Sequence, residues 1–129
     1  MNKKIYLTKC VTFDAAHKLE LYDGPCNNLH GHTYNLEVTI SGQVDASGFV
    51  IDFKRMKQIL EEEIISEYDH KYINDVLKIE NPTAENMVLK MWEKLNSKIE
   101  DVFGENGVVL EKIRLYETST SYVEKKREV

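Results

Sequence analysis

The chain begins with two segments in which hydrophobic and polar residues alternate. The alternation has the two-residue period of a β-strand with one buried face. It predicts strands over about residues 5–13 and 32–42. Two further segments of this kind, 108–117 and 119–126, lie near the other end. The pattern therefore predicts a pair of strands at each end of the chain. In the third strand, Val109, Ile113, Leu115 and Glu117 share a face.

The middle of the chain has the three- and four-residue spacing of amphipathic helices. A first helix is predicted after Asp52, which can serve as its N-cap. A second begins near Pro82, which suits a first helical turn, with Asn81 or Thr83 as the cap. The apolar positions of the two helices are Phe53, Met56, Ile59, Leu60 and Ile64, then Val88, Met91, Trp92, Leu95 and Ile99. We expect the second stripe to lie on the sheet, and residues 68–80 to form an irregular connector.

The predicted order of elements is two strands, two helices and two strands. This order is typical of an α+β fold with antiparallel hairpins. With 129 residues, of which 42% are hydrophobic, the chain suits a single domain over residues 1–129. So few elements leave strand edges open, which favours oligomerisation.

Composition narrows the classes of partner. The net charge is −5, and no Lys/Arg stripe alternates with aromatic residues, so we expect no nucleic-acid binding. No apolar run reaches membrane length, and the N-terminus lacks the apolar core of a signal peptide, so we expect no membrane segment. Two cysteines cannot build a disulfide framework, which suits a reducing compartment. These features predict a cytoplasmic protein.

Three histidines form the strongest candidate for chemistry. His30 and His32 are two residues apart at the start of the second strand, so both should project from one face. His17 has the parity of the apolar residues of the first strand. If the strands pair, the imidazoles converge as three zinc ligands with an open fourth position, the arrangement of a catalytic zinc site. Cys26 could instead be a fourth ligand that closes a structural site, and the spacing leaves both interpretations open.

Other residues have two interpretations each. Asp69 can orient the imidazole of His70 for acid–base chemistry, or the two can be a surface pair. Glu117, at a strand end, can accept hydrogen bonds from an amino group and a ring N–H, or it can simply face water. Cys26 can be a nucleophile, a proton carrier, a metal ligand or inert.

Six sequence blocks carry a resemblance to a known family. They are FDAAH at 13–17, CNNLHGHTY at 26–34, VIDF at 50–53, YDHKYIND at 68–75, ENPTAEN at 80–86 and YET at 116–118. In this order, over nearly the whole chain, they resemble the pyruvoyl-tetrahydropterin synthase superfamily. The short spacing between Cys26 and His30 and the IDF block are similar to its queuosine-pathway branch, the 6-carboxy-tetrahydropterin synthases. A folate-pathway variant carries Glu where Cys26 stands, so Cys26 argues against that variant.

The resemblance implies a T-fold (tunnelling fold). In this fold a four-stranded antiparallel sheet carries two helices on one face, and three subunits close a twelve-stranded barrel. Two trimers usually stack, and the active sites lie between subunits. We therefore expect a homo-oligomer, either a trimer or a dimer of trimers. Cys26 and the Asp69–His70 pair would then meet across a subunit interface.

The resemblance also implies site residues and a reaction. Zinc would be held by His17, His30 and His32, with Cys26, Asp69 and His70 as catalytic residues. Glu117 would anchor a pterin, with Thr83 and Glu85 as further contacts. The reaction would convert 7,8-dihydroneopterin triphosphate to 6-carboxy-5,6,7,8-tetrahydropterin, acetaldehyde and triphosphate. The alternatives are 6-pyruvoyl-tetrahydropterin synthesis and, more distantly, a non-catalytic zinc-stabilised binding module.

Overall fold

The fold is built on one β-sheet, seen in a computed structural model that describes residues 3–128 apart from the side chain of Cys26. Its strands are β1 (Lys4–His17), β2 (His30–Gln43), β3 (Lys71–Tyr72), β4 (Val109–Thr118) and β5 (Ser121–Lys126). Their order across the sheet is β3-β1-β2-β4-β5. The four long strands pair antiparallel, whereas β3 pairs parallel with the end of β1. The α+β class and the four antiparallel strands are confirmed, and β3 is an addition.

The first two strands are longer than their alternation indicated. β1 continues to His17, because its last residues pair with the first residues of β2. Residues 68–80 contain β3 and a short helix, α3 (Ile73–Leu77), so the prediction of an irregular connector was wrong. β3 pairs with Ala15 and Ala16, more than fifty positions earlier in the chain, and this partner is invisible in the local pattern.

Two helical stretches follow the predicted order. α1 (Phe53–Leu60) is capped by Asp52, whose side chain accepts from the Lys54 N–H at 2.8 Å. It continues through a π-helical turn (Glu61–Ile65) into α2 (Ser66–Tyr68). α4 (Ala84–Phe103) is capped by Thr83, so Pro82 precedes the helix rather than lying in its first turn. None of the helices within residues 3–128 is long and apolar enough to span a membrane.

The core lies between the helices and one face of the sheet. Its sheet residues are Phe13, Ala15, Tyr34, Leu36, Val38, Ile40, Leu110, Ile113 and Leu115. The helices contribute mainly Met56, Ile59, Leu60, Ile64, Met87, Val88, Met91, Leu95 and Ile99. Most predicted apolar positions are therefore confirmed, but Phe53 is exposed.

A β-bulge corrects the predicted face of β4. Thr39 pairs with Lys112 and Ile40 pairs with Leu110, so Glu111 has no opposite residue. One extra residue shifts the parity of the strand. Leu110 therefore shares the buried face with Ile113 and Leu115, and the prediction that Val109 does so was wrong.

Candidate functional site

Three histidines meet at one end of the sheet, on the face covered by the helices. His17, the last residue of β1, pairs with His30, the first residue of β2, and Ala15 pairs with His32. One ring nitrogen of each histidine lies within 4.8 Å of one from each of the others. The predicted convergence is confirmed.

Backbone carbonyls set the tautomers of two of these rings. Nδ1 of His17 lies 2.9 Å from the carbonyl oxygen of Pro82, and Nδ1 of His30 lies 2.7 Å from that of Asn28. A carbonyl can only accept, so each Nδ1 carries the ring proton and each Nε2 keeps its lone pair. The two Nε2 atoms are 2.9 Å apart. Two lone pairs at this distance repel unless a proton or a metal ion lies between them.

The third histidine lies beside a carboxylate. Nε2 of His32 is 3.2 Å from Oε1 of Glu117, a side chain from the end of β4. The geometry is not that of a hydrogen bond, and Nε2 is buried without a hydrogen-bond partner among the described residues. We interpret the contact as electrostatic, since the distance is short but the angle is poor. A buried ring nitrogen of this kind is available to a ligand.

Burial keeps His17 and His32 in the neutral form that can bind a metal. His17 is 0% exposed, and burial lowers the pKa of His17 and of His32. The imidazoles of His17 and His32 are therefore neutral near pH 7, as metal coordination requires. The carbonyl partners on Nδ1 of His17 and His30 are the outer hydrogen bonds usual for metal-bound histidine. Three such nitrogens suit zinc, with the fourth position left open.

A second cluster surrounds the Asp69–His70 pair. Oδ1 of Asp69 accepts from the Asp14 N–H at 3.0 Å and lies 3.1 Å from Nδ1 of His70. The Asp14 hydrogen bond contributes most to lowering the pKa of Asp69, and the hydrogen bond from His70 adds to it. A carboxylate that stays ionised can orient the imidazole and stabilise its protonated form. The side chain of Asp14 accepts a hydrogen bond from the Thr33 hydroxyl at 2.6 Å. This bond fixes the position of the Asp14 side chain.

The backbone of His70 is in a strained conformation. Its φ is +60°, in the left-handed region that residues other than glycine rarely adopt. Such strain costs about 1–3 kcal/mol and persists where surrounding contacts enforce it. Here the His70 N–H donates to the Asp14 carbonyl at 2.6 Å, and β3 follows directly. The side chain of His70 is 79% exposed. The turn places it at the edge of a cleft that His70 lines.

A cleft of about 850 Å³ joins the two clusters. Both His32 and His70 line it, so a small molecule in the cleft can reach the edge of the histidine cluster and the imidazole of His70 together. Its remaining lining residues are Asp14, Ala15, Ala16, Leu29, Gly31, Thr33, Lys71 and Tyr72. A cluster of three histidines next to an imidazole that a carboxylate orients has the chemistry to bind a metal and to move protons on a small molecule.

Comparison with known proteins identifies the family. The chain matches the family described as 6-pyruvoyl tetrahydropterin synthase over residues 6–128. This protein belongs to the 6-pyruvoyl tetrahydropterin synthase family.

Three similar proteins carry different names. The 6-carboxy-5,6,7,8-tetrahydropterin synthase of Haemophilus influenzae is 35% identical, over 92% of this chain and 96% of its own. The dihydroneopterin monophosphate aldolase of Pyrococcus furiosus is 32% identical, over 88% and 90%. The structure of Caenorhabditis elegans 6-pyruvoyl tetrahydropterin synthase superposes with a TM-score of 0.80 at 28% identity, covering 97% of this chain and 96% of that one. Their names describe three reactions, so membership alone does not select one.

The remaining residues predicted from the family resemblance lie in different places. The Thr83 hydroxyl accepts from the Asn86 N–H at 3.1 Å as the cap of α4. Glu85 is exposed and lines a separate groove beside β5. Cys26 lies in a 3-10 turn (Pro25–Asn27), and its side chain is outside what the structure describes. The carbonyls of Pro82 and Asn28 could not be predicted from the sequence, because backbone atoms leave no residue signature.

We expect the zinc-free protein to lose stability as the pH falls from 7.5 to 5.5. Burial lowers the pKa of His17 and His32 in the folded state, whereas an unfolded histidine titrates at about 6.5. The unfolded chain therefore takes up protons first. The stabilisation is complete above about pH 6.5 and is lost as the pH falls toward the folded pKa values. The measurement is the urea midpoint of chelator-treated protein at each pH.

A matched variant assigns this loss of stability to the cluster. The double variant His17→Asn with His32→Asn should have a urea midpoint that changes much less over this pH range. The carboxylates whose pKa is lowered, such as Asp69 and Glu111, lose their contribution only below about pH 4.5. A wild-type midpoint that is the same at pH 7.5 and 5.5 would contradict the prediction.

Proposed function

We propose that this chain is a zinc-dependent 6-carboxy-5,6,7,8-tetrahydropterin synthase of the queuosine pathway. It would convert 7,8-dihydroneopterin triphosphate and one water molecule to 6-carboxy-5,6,7,8-tetrahydropterin, acetaldehyde and triphosphate. The observation that carries the proposal is the cluster of three imidazoles beside the oriented Asp69–His70 pair. The branch is supported by the Haemophilus influenzae relative, which matches over 92% of this chain.

The metal part of the proposal depends on the donor set. His17, His30 and His32 would hold zinc, and the Nδ1 hydrogen bonds to Pro82 and Asn28 would orient two of the rings. Bound zinc would act as a Lewis acid toward the side-chain oxygens of the substrate.

Proton transfer is assigned to Cys26 and His70. Asp69 occupies the Nδ1 side of His70 and leaves Nε2 open to the cleft. Nε2 can then accept or release a proton, with Cys26 as the base and acid at the side-chain carbon of the substrate. The redox change is internal to the substrate, so no nicotinamide is required. The proposal assigns proton transfer to Cys26 and His70 together rather than to one residue.

Substrate recognition is assigned mainly to Glu117. Its half-buried carboxylate lies beside His32, so a pterin held by Glu117 would keep its side chain near the metal centre. A carboxylate can accept both from the pterin amino group and from a ring N–H. Thr83 and Glu85 stay secondary predictions, since the hydroxyl of Thr83 is already engaged in capping α4.

Glu117→Gln is expected to raise KM about 10- to 100-fold with a small change in kcat. The loss of a charge-assisted pair of hydrogen bonds costs about 1.5–3 kcal/mol. The measurement is steady-state kinetics on protein matched for zinc content. The control is Glu67→Gln, which removes a surface carboxylate paired with Lys94 on the helical side. An unchanged KM in Glu117→Gln would exclude the anchoring role.

The proposal includes a homo-oligomeric barrel, either a trimer or a dimer of trimers. The outer edges of strands β1 and β5 support this assembly. Within residues 5–128, the outer edge of β1 has a strand partner only at Ala15 and Ala16, and the outer edge of β5 has no strand partner. Such edges present free N–H and C=O groups, and closing a barrel would pair them. The active site would then lie between subunits, with Cys26 and His70 contributed by different chains.

One incubation tests the proposed reaction. Zinc-loaded protein is mixed with 7,8-dihydroneopterin triphosphate, and acetaldehyde and the pterin product are measured. Acetaldehyde together with 6-carboxy-5,6,7,8-tetrahydropterin is the expected result. A pyruvoyl product without acetaldehyde would assign the chain to 6-pyruvoyl-tetrahydropterin synthesis instead. No turnover, with zinc bound by four protein ligands, would favour a non-catalytic module.

A further inference from the structure

The side-chain amide of Asn74 bonds twice to the backbone of one residue. Its Oδ1 accepts from the Lys18 N–H at 3.0 Å, and its Nδ2 donates to the Lys18 carbonyl at 2.8 Å. Asn74 is half-buried in α3. A side-chain amide has the same donor and acceptor as a peptide group. Asn74 therefore supplies to the end of β1 the two bonds that a neighbouring strand would supply.

This contact completes a continuous line of bonds between two segments. The line begins where Asp69 and His70 bond to the backbone N–H and carbonyl of Asp14. It continues where β3 pairs with Ala15 and Ala16. The amide of Asn74 extends the line to Lys18, past the end of β3. The segment that carries the Asp69–His70 pair is thus aligned with the segment that carries His17.

His17 lies between the last two of these contacts along the chain. Ala16 before it pairs with Tyr72, and Lys18 after it is held by Asn74. β1 ends at His17, and a strand end without a following contact frays. Lys18 also begins the loop that leads to Cys26. Asn74 therefore holds the residue directly after His17, and the next bonds to this segment come at Glu20, which donates to the Glu80 carbonyl, and at Leu21, which donates to Asn81.

We propose that Asn74 is a positioning residue for the metal centre. It holds Lys18 so that the ring of His17 meets those of His30 and His32, and it keeps this centre in register with Asp69 and His70. The inference rests on the proposed function, because it takes the three histidines to be the zinc ligands. Loss of a residue that orients a ligand typically weakens metal binding about 10- to 100-fold.

The test compares zinc affinity in three variants. Asn74→Leu keeps the size of the side chain and removes both bonds. Asn74→Asp keeps the acceptor for the Lys18 N–H but places a carboxylate against the Lys18 carbonyl. The control, Asn96→Leu, removes a half-buried amide that accepts from Arg127. Arg127 also donates to the carbonyl of Leu110, which pairs with Ile40, roughly 30 Å along β2 from His30.

Zinc Kd is measured by competition with a chromogenic chelator, and the melting temperature is measured on zinc-free protein. We expect Asn74→Leu to raise the zinc Kd at least 10-fold and Asn74→Asp to raise it by less. Asn96→Leu should lower the melting temperature by a similar amount and leave the zinc Kd within twofold of wild type. If Asn74→Leu does not fold, Asn74→Asp decides, with an increase above twofold expected.

A purely structural role for Asn74 predicts a different result. The melting temperature of the folded Asn74 variants would fall while their zinc Kd stayed within twofold of wild type, and this outcome would overturn the inference. The zinc measurement uses no substrate. A wild type that binds zinc but does not turn over the pterin triphosphate would therefore reject the proposed reaction and still leave Asn74 judged by its effect on affinity.

Discussion

His17→Ala is expected to abolish metal binding and turnover together. The ring of His17 is fully buried between His30 and the Pro82 carbonyl, and its Nε2 faces the Nε2 of His30. Removing it leaves two imidazoles, fewer than the three protein ligands of a catalytic zinc site. We expect zinc content to fall from about one per chain to below about 0.1, and turnover to fall more than about 1,000-fold.

The measurement is metal analysis of the purified protein beside the acetaldehyde assay. Alanine also leaves a cavity, which costs stability, so the comparison includes the more conservative His17→Asn. His70→Ala is the matched control, because His70 is exposed and outside the cluster. It should lose turnover and keep zinc. Full zinc occupancy in folded His17→Ala would show that His17 is not a ligand.

Cys26→Ala is expected to keep zinc and lose turnover by about 100- to 10,000-fold. This range is typical for removal of a positioned acid–base group. The chain contains two cysteines, which provides an internal control. Cys10 is an exposed free thiol in β1. It has the strand parity opposite to that of Phe13 and His17, and thus lies on the other face of the sheet. Cys10→Ala should change neither zinc content nor turnover.

The zinc content and the turnover of Cys26→Ala together show whether the thiol is a proton carrier, a metal ligand or inert. A variant that loses zinc along with turnover would make Cys26 a fourth ligand of a closed structural site. A variant that keeps zinc and full turnover would make the thiol inert, and proton transfer would then depend on His70 alone. Zinc content and turnover are measured in the same way for all five variants, so they can be compared directly.

Alternation along the strands was sufficient to predict the histidine cluster. Parity places His17 on the face of Phe13 and His30 on the face of Tyr34, and the pairing of the two strands brings them together. This worked because strand period is local and the two strands follow each other in the chain. The resemblance to a family chose one role for Cys26 and one for Glu117 among those that the residues allowed, and it alone suggested Thr83 and Glu85. No distance in the structure tests those roles.

The second cluster depends on contacts between distant positions. Asp69 bonds to the backbone of Asp14, 55 residues earlier, and Asn74 bonds to Lys18, 56 residues earlier. The carbonyl that orients His17 comes from Pro82, 65 residues later. The parallel β3 strand that aligns these segments has two residues, too few for any period to be visible.

The sequence by itself determined the fold class, the order of the long strands and helices, and the face that carries the three histidines. These follow from side-chain periodicity, which each segment carries within itself. Only the tertiary structure decided the parity of β4 after its bulge, the strained turn at His70 and the tautomers of His17 and His30. Each of these depends on backbone N–H and C=O groups, which are the same in every residue type except proline and become distinctive only once the chain is folded.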